Sequence, residues 1–396
     1  MTTAGRQSWL TRNVRVLSLV SLLQDVASEL MYPLLPIYLT AVLGAPPSVV
    51  GAVEAAAEGA ASLTKLAAGP LGDRFARRSL IGAGYGMAAL GKLIVAAAGA
   101  WPGVLMGRVV DRLGKGLRGP PRDALLVDGI DPAARGRVFG FHRAMDTAGA
   151  VVGPLLGLAG YELFDHQIAP VLYLAVIPGV LSALLIFAVR ERVRARPARP
   201  SLFAGVRLLP GRYWRVVTVL VAFTLVNFPD ALLLLRLNDI GFGVAGVVFA
   251  YVGYNAVYAL ASYPAGLLAD RFSPAAVFGV GLVFFAVGYL GLGLTSDTTV
   301  AWLLIGVYGI FTACYDGVGK AWISGLLHPE VQSSGQGVFQ GMSGFAVLVA
   351  GLWAGFLWGA AGRFPLLLSG AVGAVFAVAV LAYAARLSRG RASTRR

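Results

Sequence analysis

About twelve apolar segments follow one another along the chain, and each is long enough to cross a lipid bilayer as a helix. A transmembrane helix needs about 20 predominantly apolar residues. Inside the hydrocarbon core every backbone N–H and C=O group must find a partner within the protein, and a helix provides these partners itself. The mean hydropathy of +0.74 excludes an ordinary soluble domain. We therefore predict an all-α membrane protein with 12 transmembrane helices, numbered 1 to 12, at residues 14–43, 48–69, 79–99, 102–126, 138–161, 168–189, 213–236, 245–268, 275–294, 299–323, 335–359 and 363–386.

The two halves of the chain repeat each other. Gly69–Phe75 (GPLGDRF) recurs 197 residues later as Gly266–Phe272 (GLLADRF), and nine of the 23 residues from position 69 to position 91 are identical at this offset. The offset is almost half of the 396 residues, so the repeat predicts two pseudo-symmetric six-helix halves. We expect an N-terminal half at 1–190, a cytoplasmic linker at 191–212, and a C-terminal half with a short basic cytoplasmic tail at 213–396.

The net charge of +14 is distributed unevenly between the predicted loops. Arginine is concentrated in both tails and in the loops after the even-numbered helices, whereas the remaining loops carry mainly Asp and Glu. Basic loops stay on the cytoplasmic side of a membrane. We therefore expect a multi-pass protein of the cell inner (plasma) membrane with both termini in the cytoplasm. Because orientation explains the positive charge, we predict no nucleic-acid partner.

Helix 4 is unusual for a transmembrane segment because it is highly charged. At about 100° per residue, its seven charged side chains fall on one arc roughly 140° wide. A charge that faces lipid near mid-bilayer costs about 2.5–3.5 kcal/mol, so these side chains are expected to face protein or a water-filled cavity, balanced by acids on helices 1, 2 and 5. Pro120 and Pro121 are expected to bend or break the helix. The seven residues are Arg108, Asp111, Arg112, Lys115, Arg118, Arg122 and Asp123.

Two motifs resemble those of a known family. GPLGDRFARR, at residues 69–78, is similar to the G-x-x-x-D-R-x-G-R-R loop of the major facilitator superfamily, although Ala76 replaces its second glycine. In helix 5, GAVVGPLLG resembles the G-x-x-x-G-P-x-x-G motif of the antiporters in that superfamily. In helix 4, the arginine of its R-x-x-x-G type motif is either Arg112, which fits the motif better, or Arg108, which fits better the spacing to Asp128 and to the basic residues at 135–137. The residues of the helix 5 motif are Gly149, Gly153, Pro154 and Gly157.

The resemblance implies the major facilitator fold, with helices 1, 4, 7 and 10 around a central cavity and with alternating access between its two halves. It implies that the loop motif and its repeat form a cytoplasmic gate, in which Asp73 acts as a latch against a nearby helix end. The glycines of helix 5 are expected to let a neighbouring helix approach closely. The residues predicted for the gate are Gly69, Asp73, Arg74, Arg77, Arg78, Asp270 and Arg271.

Polar residues on the helices around the predicted cavity suggest its chemistry. Asp25 and Glu29 lie four residues apart on one face of helix 1. They are our candidate proton carriers, because a buried carboxylate can bind a proton and release it when a cation approaches. The alternative is a permanent ion pair with Arg108, Arg112 or Lys115 that never titrates. In the second half, the candidate lining of the substrate cavity is Asp230, Tyr251, Tyr254, Asn255, Tyr258, Tyr308, Tyr315 and Asp316.

These features predict a secondary active transporter, with proton-coupled export of small organic molecules as the leading hypothesis. One alternative is uptake of an anionic metabolite held by Arg108, Arg112 and Lys115. Another is efflux of a divalent metal on the acids of helices 1 and 2. The chain has one cysteine and three histidines, and it contains no H-E-x-x-H or P-loop motif, so we predict neither an enzyme, nor a resident metal, nor a cofactor. The expected partners are the lipid bilayer, a small solute and protons, and the protein is expected to be a monomer.

Overall fold

The computed structural model describes residues 9–191, 204–359 and 362–393, and within these ranges all regular secondary structure is helical. Twelve long helices correspond to the predicted segments, and the seventh has two parts. They are α1 (Arg12–Met31), α2 (Pro47–Arg74), α3 (Arg77–Ala96), α4 (Trp101–Leu126), α5 (Arg135–Leu163), α6 (Ile168–Leu185), α7a (Gly211–Thr224), α7b (Asp230–Ile240), α8 (Val244–Arg271), α9 (Pro274–Leu294), α10 (Thr298–Gly325), α11 (Gln332–Phe356) and α12 (Arg363–Ser393).

Six of these helices, α3, α6 and α9 to α12, are long and apolar enough to cross a membrane by length and composition alone. The other segments are interrupted or carry charges, except α8, which is continuous and is made less apolar by its tyrosines and Asn255. Charges in such a helix must be buried in protein or face water, and the packing of α4 described below shows both. Most of the predicted linker, residues 192–203, lies outside the described residues, and a short helix, Ala204–Arg207, precedes α7a.

Proline has opposite effects at two places. The predicted helix 7 is not continuous, because α7a ends at Thr224 and α7b begins at Asp230, directly after Pro229. In contrast, of the expected bend or break at Pro120 and Pro121 the break does not occur, since α4 runs on to Leu126. Both prolines of α4 are buried, and Pro121 lies against Gly72 of α2. Neighbouring helices therefore hold the proline-containing turn of α4 in place.

Helices α1 to α6 pack mainly with one another, as do α7 to α12, and the two groups meet through α2 with α11 and through α5 with α8. Glycine allows these crossings to be close. A Cβ atom on Gly69 would lie 2.7 Å from the backbone oxygen of Ser333 in α11, and Gly136 of α5 touches the backbone of Gly266 in α8. Both crossings lie at the end of the bundle that carries the α2–α3 and α8–α9 loops. We call this end, which includes Asp73, the Asp73 end.

Candidate functional site

The two arginines in the middle of α4 form ion pairs with glutamates of α2. One guanidinium nitrogen of Arg108 donates to both carboxylate oxygens of Glu54, at 2.6 and 2.8 Å. One turn further along, Arg112 pairs with Glu58 at 3.3 Å. The side chain of Glu58 remains 43% exposed although it lies in the middle of a long helix. This exposure shows that protein does not cover the Glu58 side chain, as expected for a face that borders a cavity between the halves.

A second set of charges on α4 points away from that cavity. Asp111 is buried and accepts a 2.9 Å hydrogen bond from Lys92 of α3. Arg118 is also buried, and its guanidinium carbon lies 4.4 Å from the centre of the Tyr85 ring on α3. The charges of α4 therefore do not share one environment, and both expected settings, protein and an open face, are present. Because α4 packs between α2 and α3, side chains within one arc of the helical wheel reach different neighbours.

Asp25, Glu29 and Lys115 are electrostatic neighbours. Among the described residues, none of the three has an ion-pair partner within 4 Å. Asp25 and Glu29 are half-buried, and Lys115 is exposed. Lys115 is nevertheless close enough to act electrostatically on both carboxylates. Glu29 accepts a hydrogen bond from the hydroxyl of Tyr251 on α8, in the other half, at 3.4 Å. The structure thus pairs the arginines with α2 and leaves both candidate proton carriers without a fixed counter-ion.

The glycine motif of α5 supports the same two acids. A Cβ atom on Gly149 would lie 2.7 Å from the Cβ of Asp25, and one on Gly153 would lie 2.8 Å from the Cβ of Glu29. Gly157 continues the contact against the backbone of α1, and Pro154 stays inside an unbroken α5. The helix that approaches this stripe is therefore α1, at the turns that carry Asp25 and Glu29.

Tyrosines of α8 form a row in which each hydroxyl donates to a different carboxylate. Tyr251 donates to Glu29 of α1. Tyr254 donates to Asp230 of α7b at 3.1 Å, and Tyr258 donates to Asp316 of α10 at 2.8 Å. A further tyrosine, Tyr308 of α10, donates to Asp230 at 2.7 Å. We call Tyr251, Tyr254 and Tyr258 the tyrosine row.

Two residues that were expected in the substrate cavity have other surroundings. The hydroxyl of Tyr315 lies 2.7 Å from that of Thr224, and its ring packs against Phe223 and Phe311 in the core of the second half. Asn255 is 5% exposed and donates to a backbone oxygen of its own helix, one turn back. Both lie on polar faces in the sequence, but Tyr315 points into the core of its own half and Asn255 bonds the backbone of its own helix.

Two ion pairs that the sequence analysis missed connect the halves between Glu29 and the Asp73 end. Asp123 of α4 is fully buried and accepts from Lys320 of α10 at 3.0 Å. Arg143 of α5 pairs with Asp316 of α10 at 2.5 Å and with Asp146 of its own helix at 2.7 Å. All five side chains are visible in the sequence as charges within helices. The two pairs between the halves, Asp123–Lys320 and Arg143–Asp316, join residues about half the chain apart, and a single sequence does not reveal such pairing.

At the Asp73 end, Asp73 of α2 binds the first turn of α11 in the other half. Its carboxylate accepts from the backbone N–H groups of Ser333 at 3.1 Å and Ser334 at 2.9 Å. Arg77 lies 3.3 Å from the same carboxylate and also donates to the backbone oxygen of Pro329. A carboxylate at a helix N-terminus is stabilised by the free N–H groups and by the helix dipole.

The repeat places Asp270 of α8 in a matching position in the second half. It accepts from the backbone N–H of Gly136 at 2.7 Å and from that of Arg137 at 3.0 Å, both in the first turn of α5. The side chain of Arg137 adds a 2.7 Å ion pair. The remaining arginines predicted for the gate have other contacts: Arg78 donates to the backbone oxygen of Phe187, and Arg74 and Arg271 lie beside the rings of Phe75 and Phe272.

Within the described ranges, no group of three or more His, Cys, Asp and Glu side chains could hold a metal ion. The acids on helices 1 and 2 that suggested a metal site belong to different environments, because Glu54 and Glu58 are bound to arginines and Asp25 and Glu29 are not. The donor set in the cavity is thus made of separate carboxylates, bases and tyrosines.

Comparisons with known proteins agree on one family. A sequence profile of the Major Facilitator Superfamily matches residues 17–250 and 216–395. An uncharacterized MFS-type transporter of Methanocaldococcus jannaschii is 29% identical over 356 residues, which is 88% of this chain and 89% of that protein. The multidrug resistance protein MdtH of Aeromonas hydrophila is 31% identical over 213 residues, or 52% of each chain. Among solved structures, the E. coli fucose:proton symporter FucP is similar with a TM-score of 0.77 over 94% of this chain and 97% of that one, at 15% identity.

Proposed function

Because the chain belongs to the Major Facilitator Superfamily of membrane transporters, we propose that it is a secondary active transporter that exports small organic molecules in exchange for protons. Its two halves would alternate between openings on either side of the membrane. The similarity to a multidrug resistance protein supports export. Transporters of this superfamily are not enzymes, so the site is assigned to binding rather than to chemical conversion.

One observation carries the proton-coupling part of this proposal. Asp25 and Glu29 lie beside the inter-half cavity, half-buried and without an ion pair within the described part of the chain. A carboxylate held permanently by an arginine does not titrate, whereas one without a fixed counter-ion can exchange a proton with the cavity. The contact with Gly149 and Gly153 fixes both acids in place, so protonation need not wait for a rearrangement of α1.

Uptake of an anionic metabolite is less well supported. Of the three bases that could hold an anion, Arg108 and Arg112 are paired with Glu54 and Glu58. Only Lys115 is left without an ion pair there, and it lies near two carboxylates that would repel an anion. Divalent metal efflux lacks a cluster of three ligands in the described residues.

We further propose that the Asp73 end faces the cytoplasm of the cell. The arginine-rich loops lie at this end, and such loops are retained on the cytoplasmic side. In this orientation the structure, whose halves are bound together at the Asp73 end, represents a state closed to the cytoplasm. The protein would act as a monomer in the plasma membrane.

Flux measurements in proteoliposomes test the proposal. Purified protein is reconstituted with a pH-sensitive dye inside the vesicles, and a panel of cationic, neutral and anionic organic compounds is added under an imposed pH gradient. We expect at least one compound to drive proton movement in the opposite direction. Asp25→Asn or Glu29→Gln should abolish this movement while compound-for-compound exchange continues, because exchange needs no net proton transfer.

Glu162→Gln is the matched control, since it removes one negative charge from a side chain that is 63% exposed in the last turn of α5. It should leave proton movement unchanged. If no compound moves protons, the proposal of proton exchange is wrong. If both cavity variants couple as well as the unmodified protein, the two acids are structural.

A further inference from the structure

The segment before α1 contributes an aromatic ring to the contact between the two halves. Trp9 precedes α1, which begins at Arg12. Its ring stacks on that of Tyr263 of α8, with centroids 5.7 Å apart and planes 28° apart. It also meets the ring of Phe141 of α5 edge to face at 5.9 Å, and the rings of Phe141 and Tyr263 are edge to face at 6.4 Å. Trp9 thus completes a three-ring cluster that includes both halves.

The three rings lie beside the crossing of α5 and α8 at the Asp73 end. A Cβ atom on Gly140 of α5, next to Phe141, would lie 3.3 Å from the Cα of Tyr263. Because α5 and α8 belong to different halves, opening at the Asp73 end must separate them. The rings of Phe141 and Tyr263 cannot stay in contact with the same partners when this happens.

Hydrogen bonds attach the segment to the first half. The Nε of Arg12 donates to the backbone oxygen of Ala188, after α6, at 3.1 Å. The side chain of Asn13 donates to the backbone oxygen of Arg190 at 2.6 Å and accepts from its backbone N–H at 3.0 Å. The long helix that follows, α1, packs mainly against α5 and α6. Trp9 therefore stays with the first half when the halves separate, and it must leave the second half.

A membrane anchor does not explain this arrangement. Tryptophan is common at membrane interfaces, where its ring lies at the level of the lipid headgroups. That role needs no partner in the other half. The stacking of Trp9 on Tyr263 instead places ring against ring across the halves, and an aromatic pair stabilises the state in which it forms.

We propose that residues 9–11, which precede α1, form a strap that holds the Asp73 end closed, with Trp9 as its contact across the halves. The strap adds to the hydrogen bonds of Asp73 and Asp270, and it shifts the balance between the closed and open states without touching the solute. This inference rests on alternating access in the proposed function, but it does not depend on proton exchange or on the nature of the solute.

A cysteine at the other crossing of the Asp73 end reports opening of the whole end. In a Cys314→Ala background, which has no thiol, Ser333→Cys places a reporter where α11 crosses α2. The Ser333 side chain is 0% exposed, and its Oγ has no hydrogen-bond partner among the described residues. Ser333 packs against Gly72 of α2, whereas Trp9 contacts rings of α5 and α8. Loss of the Trp9 ring therefore does not uncover the reporter locally.

The measured quantity is the rate at which a maleimide reacts with the detergent-purified full-length reporter protein. If opening is rare and fast compared with labelling, this rate is proportional to the open population. Trp9→Ala should raise it about tenfold, because the closed state loses one aromatic pair and the ring area that the pair buries. Trp9→Phe keeps a ring and should raise it less.

Two further variants make the test specific. Tyr263→Leu removes the partner ring from the other half and should also raise the labelling rate. Adding Trp9→Ala to it should have little further effect, because the contact is already absent. Trp101→Ala is the matched control, since it makes the same substitution at a side chain that is 38% exposed at the opposite end of the bundle. It should leave the labelling rate unchanged.

The strap is refuted if Trp9→Ala, with an unchanged unfolding temperature, reacts no faster than the reporter protein. It is also refuted if Trp9→Ala accelerates labelling equally with and without the Tyr263 ring. Solute flux in proteoliposomes tests the transport function separately. Flux combined with an unchanged labelling rate in Trp9→Ala refutes only the strap, whereas the absence of flux for every compound refutes the transport function on which the strap rests.

Discussion

Neutralising Asp73 should loosen the contact between the halves at the Asp73 end. The Asp73 carboxylate accepts from Ser333 N and Ser334 N of α11, and Asn keeps its shape and one acceptor oxygen but removes the charge. A hydrogen bond to a charged group contributes about 1.5–3 kcal/mol and a neutral one about 0.5–1.5 kcal/mol. Weakening two such bonds should therefore cost about 2 kcal/mol, which corresponds to a roughly 30-fold larger population of the state open at this end.

Cysteine labelling can measure this population. Cys314 is the single cysteine of the chain, so Cys314→Ala gives a background without thiols. Ser262→Cys then places a reporter on α8, where the side chain is 2% exposed and the backbone packs against Gly140 of the other half. If opening is rare and fast compared with labelling, the rate of reaction with a maleimide should rise about 30-fold in Asp73→Asn.

Asp131→Asn provides the control, because Asp131 is exposed in the α4–α5 loop and caps only the short helix Pro132–Ala134. It carries the same charge change at the same end of the bundle and should not alter the labelling rate. An unchanged rate in Asp73→Asn, in protein with an unchanged unfolding temperature, would refute the reasoning, because the carboxylate would then contribute nothing to the closed state.

Three further predictions concern stability and coupling. Gly149→Ala should destabilise the protein by about 1–3 kcal/mol, because its new Cβ would lie 2.7 Å from the backbone oxygen of Leu22. Gly160→Ala is the control and should cost less, because the nearest atoms to its new Cβ are side-chain atoms at 3.5 Å or more. Thermal unfolding in detergent measures both changes. Lys92→Met should destabilise by about 3 kcal/mol, since it leaves the buried Asp111 charge with only the longer, 3.9 Å contact to Arg108. The additional change Asp111→Leu should restore much of this loss in the same assay. Lys115→Gln should change the unfolding temperature little, since this exposed side chain has no ion pair among the described residues, but it should alter the pH dependence of solute-driven proton movement.

The sequence predicted the parts of the architecture that depend on local composition. Twelve apolar segments and the half-chain repeat led to the fold, and together with the loop and helix 5 motifs they led to the family; both are confirmed by the helices of the structure and by the family match. The repeat also links Asp73 with Asp270, and each of these acids binds the first turn of a helix in the other half. Local sequence was sufficient here because the loop motif recurs with the same spacing.

Long-range pairing could not be predicted in this way. The helical wheel of α4 showed where its charges point, but it did not show that Glu54 takes Arg108 or that Lys320 takes Asp123. Proline was ambiguous for the same reason. Pro229 lies in the gap between α7a and α7b, directly before Asp230. Pro121 stays inside α4, packed against Gly72. In both cases the outcome depends on neighbouring helices.

The distribution of paired and unpaired acids connects the cavity with the gate. Carboxylates that bind the opposite half must exchange these partners for water when the Asp73 end opens, and this exchange costs free energy. A ligand that binds the open state better than the closed state must offset that free energy. Asp25 and Glu29 have no fixed counter-ion among the residues that the structure describes, so a proton or a cation bound there can supply the difference. Asp316 connects the tyrosine row with the interface between the halves, because it accepts from Tyr258 and pairs with Arg143 of the opposite half. A solute that displaces the tyrosine row therefore acts on an inter-half ion pair directly, without a longer chain of contacts. The acids that bind donors of the opposite half at or near the Asp73 end are Asp73, Asp123, Asp270 and Asp316.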